Sequence, residues 1–298
     1  MPLTADVRAA CARVAARARS VHVVREAIEP YAATLPAGSP PAPDLGGGDL
    51  EARAAFSLTL NAINFGSGWF PTLRKPPGLS GFRTVEAGLR ARGPWRAAEL
   101  ERIGAEQVAA TFCQDAGHEL MARFATALRE LGTRVGEAHG GSFLALARSG
   151  DGSAVALAEQ LAAWPNWHDV STYDGVPVPF FKRAQIAAAD LALAGLAPAG
   201  DLAELTLFAD NLVPHVLRLD GVLAVAPALA GRIEREERLE HGSSEEVELR
   251  ACALHAVELL VAAHGATTAT AIDNVLWHRG AGARYKAVPR HRARTTAY

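Results

Sequence analysis

Asp210 is the carboxylate whose sequence setting best fits acid–base or electrostatic chemistry. It follows the apolar residues 207–209 and lies four residues before Pro214. A carboxylate in apolar surroundings is what general acid–base chemistry requires. The same spacing suits a helix N-cap near Asn211 with the proline in the first turn, and the pattern alone favours the cap. The two roles are compatible.

Lys182 is a rare lysine in an arginine-rich chain and directly follows two aromatic residues. Together with Arg183 it opens a predicted helix, where positive charge opposes the helix dipole. An anionic ligand or a partner acid would explain both residues. The alternative is a lysine that reaches solvent while Phe180 and Phe181 fill the core.

Planar side chains that could stack on a nucleobase occur at two places. Asp273 and Trp277 lie one helical turn apart, which places a carboxylate beside a ring. Phe65 and Trp69 lie in the glycine-rich segment 61–70. Ordinary core packing is the alternative in both places, and the spacing favours it for Trp277.

Two charged segments lie nearer the C-terminus. Glu248 falls early in a helix predicted over 244–264, with Ser243 or Ser244 as its cap. Residues 284–294 contain five basic residues and His291. This segment is either a solvated tail or a strap that binds a phosphate.

Helices must position most of these residues. Apolar spacings of three and four predict helices over 5–32, after a cap at Asp49, and over 95–110, 115–138, 152–163, 181–196, 244–264 and 267–279. Strand signals are confined to a hairpin near 167–181, around an Asp174-Gly175 turn. The predicted fold is mainly α with this small hairpin, in a single domain over 1–298. Residues 1–50 form an N-terminal helix and a loop rich in proline and glycine, and 51–298 carry the motifs.

Composition excludes several classes of protein. With 298 residues, 49% hydrophobic and 21% charged, the chain can bury a substantial core. A net charge of -2 argues against a surface for duplex nucleic acid. No apolar run is long enough for a membrane helix. The 3 separated cysteines predict neither a disulfide framework nor a zinc site, and they fit a cytoplasmic protein.

Five segments together resemble the queuosine salvage protein family. They are HGGSFLALARSG at 139–150, VPVPFFKRAQIAAAD at 176–190, LTLFADNLVPHVLRLDG at 205–221, EEVELRACALHAVELL at 245–260 and DNVLWHRG at 273–280. They occur in the family's order, and the likeness covers 61–298. Each string alone is weak, whereas the set is specific.

The resemblance implies an N-glycosidase that hydrolyses queuosine 5'-phosphate to queuine, a 7-deazaguanine base, and ribose 5-phosphate, for queuine salvage in tRNA modification. It also implies a helical fold similar to that of DNA glycosylases, and no metal or organic cofactor. The expected partners are this small nucleotide and its product, without intact nucleic acid or a membrane.

The resemblance also implies roles for the candidate residues. Cleavage builds oxocarbenium character on the ribose, which a carboxylate can stabilise while it activates a water. A 7-deaza base has carbon where guanine has N7, so protonation there does not assist departure. The expected catalytic carboxylate is Asp210, with Asp273 as the runner-up.

Substrate contacts are assigned by side-chain type. The acceptors for the base are Glu248 and Asp273. The stacking candidates are Phe65, Trp69, Phe208 and Trp277. The phosphate candidates are Lys182, with or without Arg183, or alternatively Arg290, His291 and Arg292.

Three positions depart from the family pattern close to the catalytic candidate. Asn211, Leu212 and His215 stand where the family commonly has Tyr, Arg and Gln. Because Asp210 itself is kept, the departures affect expected substrate contacts rather than catalysis. They motivate an alternative of another class, a non-catalytic carrier of queuine or queuosine. A third interpretation is a glycosidase for ordinary purine nucleotides.

Overall fold

The computed structural model describes residues 2–298, and helices dominate it. Two short antiparallel strand pairs accompany them. The mainly α fold with a small hairpin is therefore confirmed. Among residues 2–298, no helix combines the length and the apolar character needed to cross a bilayer. The similarity to DNA glycosylases stays a prediction.

The chain divides into two compact units, each built from separate stretches of sequence. The first comprises Met1–Pro41, Asp169–Gln185 and Ala203–Arg294. The second comprises Ala42–His168, Ile186–Leu202 and Thr295–Tyr298. The single domain expected over 1–298 stays a prediction.

The elements follow in chain order. The helices are α1 Leu3–Ala15, α2 Ile28–Ala32, α3 Leu50–Ala62, α4 Gly81–Arg92, α5 Ala97–Leu100, α6 Ala105–Thr111, α7 Glu119–His139, α8 Phe143–Ala147, α9 Ala154–Ala162, α10 Lys182–Leu193, α11 Val213–Leu219, α12 Pro227–Glu234, α13 Ser244–His264, α14 Ala269–Arg279 and α15 Ala283–Lys286. The strands are β1 Val21–Val23, β2 Val170–Tyr173, β3 Val176–Pro179 and β4 Leu223–Val225.

Helix α13 is the centre of the first unit. It is buried on nearly all faces, and its buried residues include the charged Glu246, Glu248 and Arg250. Helices α1, α2 and α11 and strand β1 pack against it. Its predicted bounds of 244–264 are confirmed, and the Ser243 hydroxyl accepts a hydrogen bond from the Glu246 amide. The capping residue is therefore Ser243.

The N-terminal segment departs from the prediction. A single helix over 5–32 is wrong, because α1 ends at Ala15 and β1 follows. The Glu248 carboxylate accepts hydrogen bonds from the amides of Arg19 (3.1 Å), Ser20 (2.7 Å) and Val21 (3.0 Å), which removes them from any helical ladder. The β-branched run that follows pairs with β4, with Val21 opposite Val225.

The hairpin has the geometry that its turn residues predict. Asp174 and Gly175 both adopt positive φ, at 49° and 76°, as a type I′ turn requires. Strands β2 and β3 pair antiparallel, and Tyr173 lies opposite Val176. Beyond β3, the amides of Phe180 and Phe181 both donate to the Asp169 carbonyl, which closes the end of the hairpin.

Helix α7 lies at the centre of the second unit, where α3, α5, α6 and α8 pack against it. The predicted cap of α3 is confirmed, because Asp49 accepts from the Ala52 amide at 2.8 Å. The helix expected over 95–110 is instead two helices, α5 and α6, separated at Gly104. Helix α4 was not predicted, since its sequence has few apolar residues.

Replacing Glu248 by Gln should destabilise the protein. The carboxylate also accepts from the Tyr173 hydroxyl at 2.8 Å, so all its hydrogen bonds come from protein donors. An amide nitrogen would face two of these donors without accepting from them. We expect the free energy of unfolding to fall by about 2–4 kcal/mol in urea titrations. The exposed Glu240→Gln variant serves as the control, and equal stability of the two variants would contradict the assignment.

Candidate functional site

The charged centre of the first unit is an ion pair between Asp169 and Arg250. Both side chains are buried. The guanidinium donates to both carboxylate oxygens, at 3.0 and 2.6 Å, in the two-pronged geometry that arginine favours. Its central carbon also lies 3.9 Å from the centroid of the Phe180 ring. The pair is thus enclosed by protein and held from three sides.

This ion pair fixes the backbone beside two predicted site residues. Arg250 Nε donates to the carbonyl of Ala209 at 3.0 Å, directly before Asp210. Asp169 Oδ2 accepts from the amide of Lys182 at 3.2 Å. The pair therefore fixes the backbone positions from which the side chains of Asp210 and Lys182 project.

Sequence reasoning missed both members of the pair. They lie 81 residues apart, and no local spacing connects them. A usable signal was nevertheless present at Arg250, which directly precedes the apolar run at 251–254 in its helix. A charged residue beside such a run needs a partner if it is buried.

A second set of hydrogen bonds joins the start of α10 to the segment that leads to Asp210. Gln185 donates to the carbonyl of Phe180 at 2.9 Å and accepts from the amide of Thr206 at 2.9 Å. Phe181, between β3 and α10, adopts a left-handed φ of 50°, which is costly for an aromatic residue. The surrounding hydrogen bonds hold this turn and so fix the direction in which Lys182 leaves it.

Asp210 combines a capping contact with an oxygen that no protein group uses. Oδ1 accepts from the amides of Leu212 (2.7 Å) and Val213 (3.2 Å) at the start of α11, with Pro214 in the first turn. The predicted capping contact is present, although the helix begins at Val213 rather than near Asn211. Oδ2 makes no hydrogen bond within residues 2–298, and the side chain is partly exposed. One oxygen supports the helix and the other is available to a ligand.

Lys182 is buried and lies within electrostatic reach of two carboxylates. Burial lowers the pKa of its ammonium to about 8, with a smaller lowering from Arg183. The negative charges of Asp210 and Asp273 act in the opposite direction. Asp273 is itself buried on α14. Lys182 and the three predicted site residues whose charges act on it, Arg183, Asp210 and Asp273, are called the charged cluster below. Phe208 is buried two residues before Asp210.

Residues 289–292, called the strap below, are fixed beside this cluster. The carbonyl of Pro289 accepts from Arg218 at 3.0 Å, and that of His291 accepts from the Asn211 side chain at 3.0 Å. The carbonyl of Arg292 accepts from the Leu239 amide at 2.9 Å. The segment is thus anchored by its backbone rather than solvated. The His291 imidazole is buried, which lowers its pKa to about 3 and leaves it neutral near pH 7.

The other candidates have different surroundings. Trp277 is partly exposed on α14, one turn after Asp273. Glu248 is buried, and its oxygens receive the four protein hydrogen bonds given above. Phe65 and Trp69 belong to the second unit. There Phe65 packs edge-on against Phe124 at 5.1 Å, and the Trp69 ring nitrogen donates to Glu119 at 2.9 Å.

Within residues 2–298, no group of three or more His, Cys, Asp or Glu side chains is arranged to hold a metal ion. A cleft of about 580 Å³ in the second unit is lined by residues such as Glu51, Trp95 and Phe143. None of its lining residues is among the predicted site residues.

The Asp169→Asn substitution should destabilise the first unit strongly. It would remove the carboxylate that binds both prongs of the buried Arg250 guanidinium and leave only the more distant Glu246, at 3.9 Å. Breaking a buried pair costs about 3–5 kcal/mol. Urea unfolding followed by circular dichroism measures the loss. The matched control is Glu237→Gln, which removes a carboxylate from an exposed pair with Arg235 and should change stability little. Similar midpoints for the two variants would refute a central role for the buried pair.

Comparison with known proteins agrees with the motifs. Residues 80–298 match the family described as queuosine salvage protein. A queuosine 5'-phosphate N-glycosylase/hydrolase of Sphaerobacter thermophilus is 37% identical over 274 residues, which cover 83% of this chain and 82% of that protein. Proteins of the same name from Dictyostelium discoideum and Bos taurus are 34% and 36% identical, over 57% and 45% of this chain and 56% and 40% of their own lengths.

The matched region contains Asp210 and most of the other predicted site residues, whereas Phe65 and Trp69 precede it. The buried pair Asp169–Arg250 and the strap also lie inside it. The resemblance indicated by the five sequence segments is confirmed, and the chain belongs to the queuosine salvage protein family.

Proposed function

We propose that this protein hydrolyses the N-glycosidic bond of queuosine 5'-phosphate and releases queuine and ribose 5-phosphate. Family membership and the names of three relatives support this reaction. The observation that carries it is the carboxylate of Asp210, which is fixed through Oδ1 and has no protein partner at Oδ2. A rigid carboxylate of this kind suits a reaction that develops positive charge on a sugar.

Asp210 would act on the ribose. As the bond between C1′ and the base breaks, the bonding electrons leave with the base and C1′ becomes cationic. The negative charge of Oδ2 stabilises this cation and orients a water molecule that attacks it. The water adds hydroxide to C1′, and its remaining proton balances the departing base. Lys182, with its ammonium near Asp210 and Asp273, offsets the repulsion between the two carboxylates.

Helix α14 would recognise the base. Asp273 supplies acceptors for the N–H edge of a guanine-like base, and the partly exposed ring of Trp277 lies one turn away for stacking. Glu248 is poorly suited to this role, because its oxygens already receive four hydrogen bonds from the protein. Binding of the base by Glu248 would require the α1–β1 connection to give up these hydrogen bonds.

The carrier hypothesis remains the second candidate, since Asn211, Leu212 and His215 depart from the family pattern. Asn211 and His215 have structural partners, the carbonyls of His291 and Tyr285. These contacts account for two departures without loss of the reaction.

Three free cysteines, two of them buried, suit a reducing compartment such as the cytoplasm.

Asp210→Asn is expected to abolish turnover while it preserves the fold. The amide oxygen of Asn can still accept from Leu212 and Val213, so thermal unfolding should be nearly unchanged. Without the negative charge, kcat should fall by at least about 100-fold. Chromatography of free queuine, with purified protein and queuosine 5'-phosphate, measures the rate.

The Asp273→Asn variant distinguishes the roles of the two carboxylates, Asp210 and Asp273. If Asp273 only binds the base, this variant raises KM more than it lowers kcat. A near-normal rate for Asp210→Asn, together with loss of kcat in Asp273→Asn, would assign catalysis to Asp273 and remove Asp210 from that role. Release of guanine from guanosine monophosphate at a comparable rate would defeat the preference for queuosine. Queuine binding without any release would favour the carrier.

The activity should decrease as the pH rises through about 8, because the Lys182 ammonium loses its proton there. Below that pH the charge is present, and above it the repulsion between Asp210 and Asp273 is no longer offset. Lys182→Arg keeps the charge to much higher pH and should move this alkaline limb upward. The measurement is kcat/KM from pH 6 to 10. An unchanged limb in an active Lys182→Arg enzyme would assign the titration to another group.

A further inference from the structure

Helix α14 is followed by a glycine whose backbone conformation does not require one. Gly280 has a φ of -62° and a ψ of -16°, the right-handed helical region in which alanine is more stable than glycine. The residue is buried and closes the string DNVLWHRG at 273–280. Since these backbone angles suit any residue, the absence of a side chain must be explained by the space around its Cα atom.

That space is filled by Leu212, which lies directly before α11. A Cβ atom at position 280 would lie 2.7 Å from Leu212 Cδ1, 2.8 Å from its Cγ and 3.1 Å from its Cδ2. These separations are well inside the optimum of about 3.5–4.0 Å between carbon atoms. Because Cγ is among these atoms, rotation of the terminal methyl groups alone does not relieve the overlap. Either Leu212 or the end of α14 would have to move.

The end of α14 is held against the opposite end of α11. Arg279 donates to Asp220 Oδ2 at 3.1 Å and to the Tyr31 hydroxyl at 2.6 Å. Asp220 directly follows α11, and its two oxygens also accept from the hydroxyls of Tyr31 and Tyr285, at 2.7 Å each. These hydrogen bonds resist a retreat of α14 from α11. A side chain at position 280 would therefore displace Leu212.

The position of Leu212 matters because its amide holds the candidate catalytic group. This amide donates to Asp210 Oδ1 at 2.7 Å, and the Val213 amide adds a hydrogen bond at 3.2 Å. Displacement of Leu212 would turn the Asp210 carboxylate and redirect its Oδ2. For a group that must face a reacting carbon, a misplacement of about 1 Å can cost about 100-fold in rate.

We propose that Gly280 is a positioning residue, whose missing side chain lets Leu212 hold Asp210 in its catalytic orientation. This inference rests on the proposed hydrolase function. The contact with Gly280 also accounts for Leu212, the departure from the family pattern that remains after Asn211 and His215. It sets α11 against α14, the helix that carries Asp273.

The test is Gly280→Ala, assayed in a double-mutant cycle with Leu212→Ala. With the leucine present, kcat for queuosine 5'-phosphate should fall about 10-fold, while KM changes by less than about 2-fold because α14 keeps its place. In the Leu212→Ala background the space is empty, and the same substitution should lower kcat by less than about 2-fold. An unchanged kcat in Gly280→Ala would overturn the inference, as would equal losses in the two backgrounds.

Two further variants complete the comparison. Gly47→Ala is the matched control, because its Cβ would meet no atom within 4 Å and its φ lies outside the left-handed region. It should leave kcat unchanged. If Gly280→Ala does not fold, Leu212→Phe crowds the same contact from the side of α11. Its kcat should then lie about 10-fold below that of Leu212→Ala, and equal values would overturn the inference.

Amide hydrogen exchange separates this inference from the proposed function. Measured by NMR, exchange at Leu212 and Val213 should be faster in Gly280→Ala than in the wild type, because their hydrogen bonds to Asp210 are disturbed. If the wild type releases no queuine, hydrolysis is refuted, but exchange at these two amides still tests the contact. Unchanged exchange would overturn the positioning of Asp210 by Gly280, whatever the reaction.

Discussion

The ion pair between Asp169 and Arg250 is the constraint on which the candidate site depends. It joins the start of the hairpin, the central helix α13 and the segment that ends at Asp210. Buried ion pairs contribute little net stability compared with apolar packing, because desolvation offsets their attraction. Their value here is geometric, since a bidentate contact admits one arrangement. The carboxylate and the lysine of the cluster both take their positions from it.

The sequence predicted those features that local chemistry determines. Asp49 and Ser243 were identified as caps because their side chains bond to amides three residues away. The hairpin followed from the left-handed preference of Asp174-Gly175. The bounds of α13 followed from its long apolar pattern.

Features that depend on contacts between distant parts of the chain could not be predicted from the local sequence. The break after α1 depends on Glu248, some 230 residues later, which binds the amides of residues 19–21. The apolar spacing within residues 5–32 does not predict a contact with that carboxylate. The same holds for the candidate site, where Asp210 was found through its motif but its buried frame was not. That Arg290 Nε has no hydrogen-bond partner among residues 2–298 is likewise a property of the folded chain.

The division of the first unit has a consequence for biosynthesis. Its three stretches of sequence are separated by most of the second unit, so the contacts of α13 with α1, α2 and β1 close long loops. Such contacts form slowly, and an emerging chain exposes its unpaired apolar surface until they do. Helix α1 and strand β1 leave the ribosome long before α13 and β4 can cover them. Chaperone binding to the nascent N-terminal region would protect it during this interval.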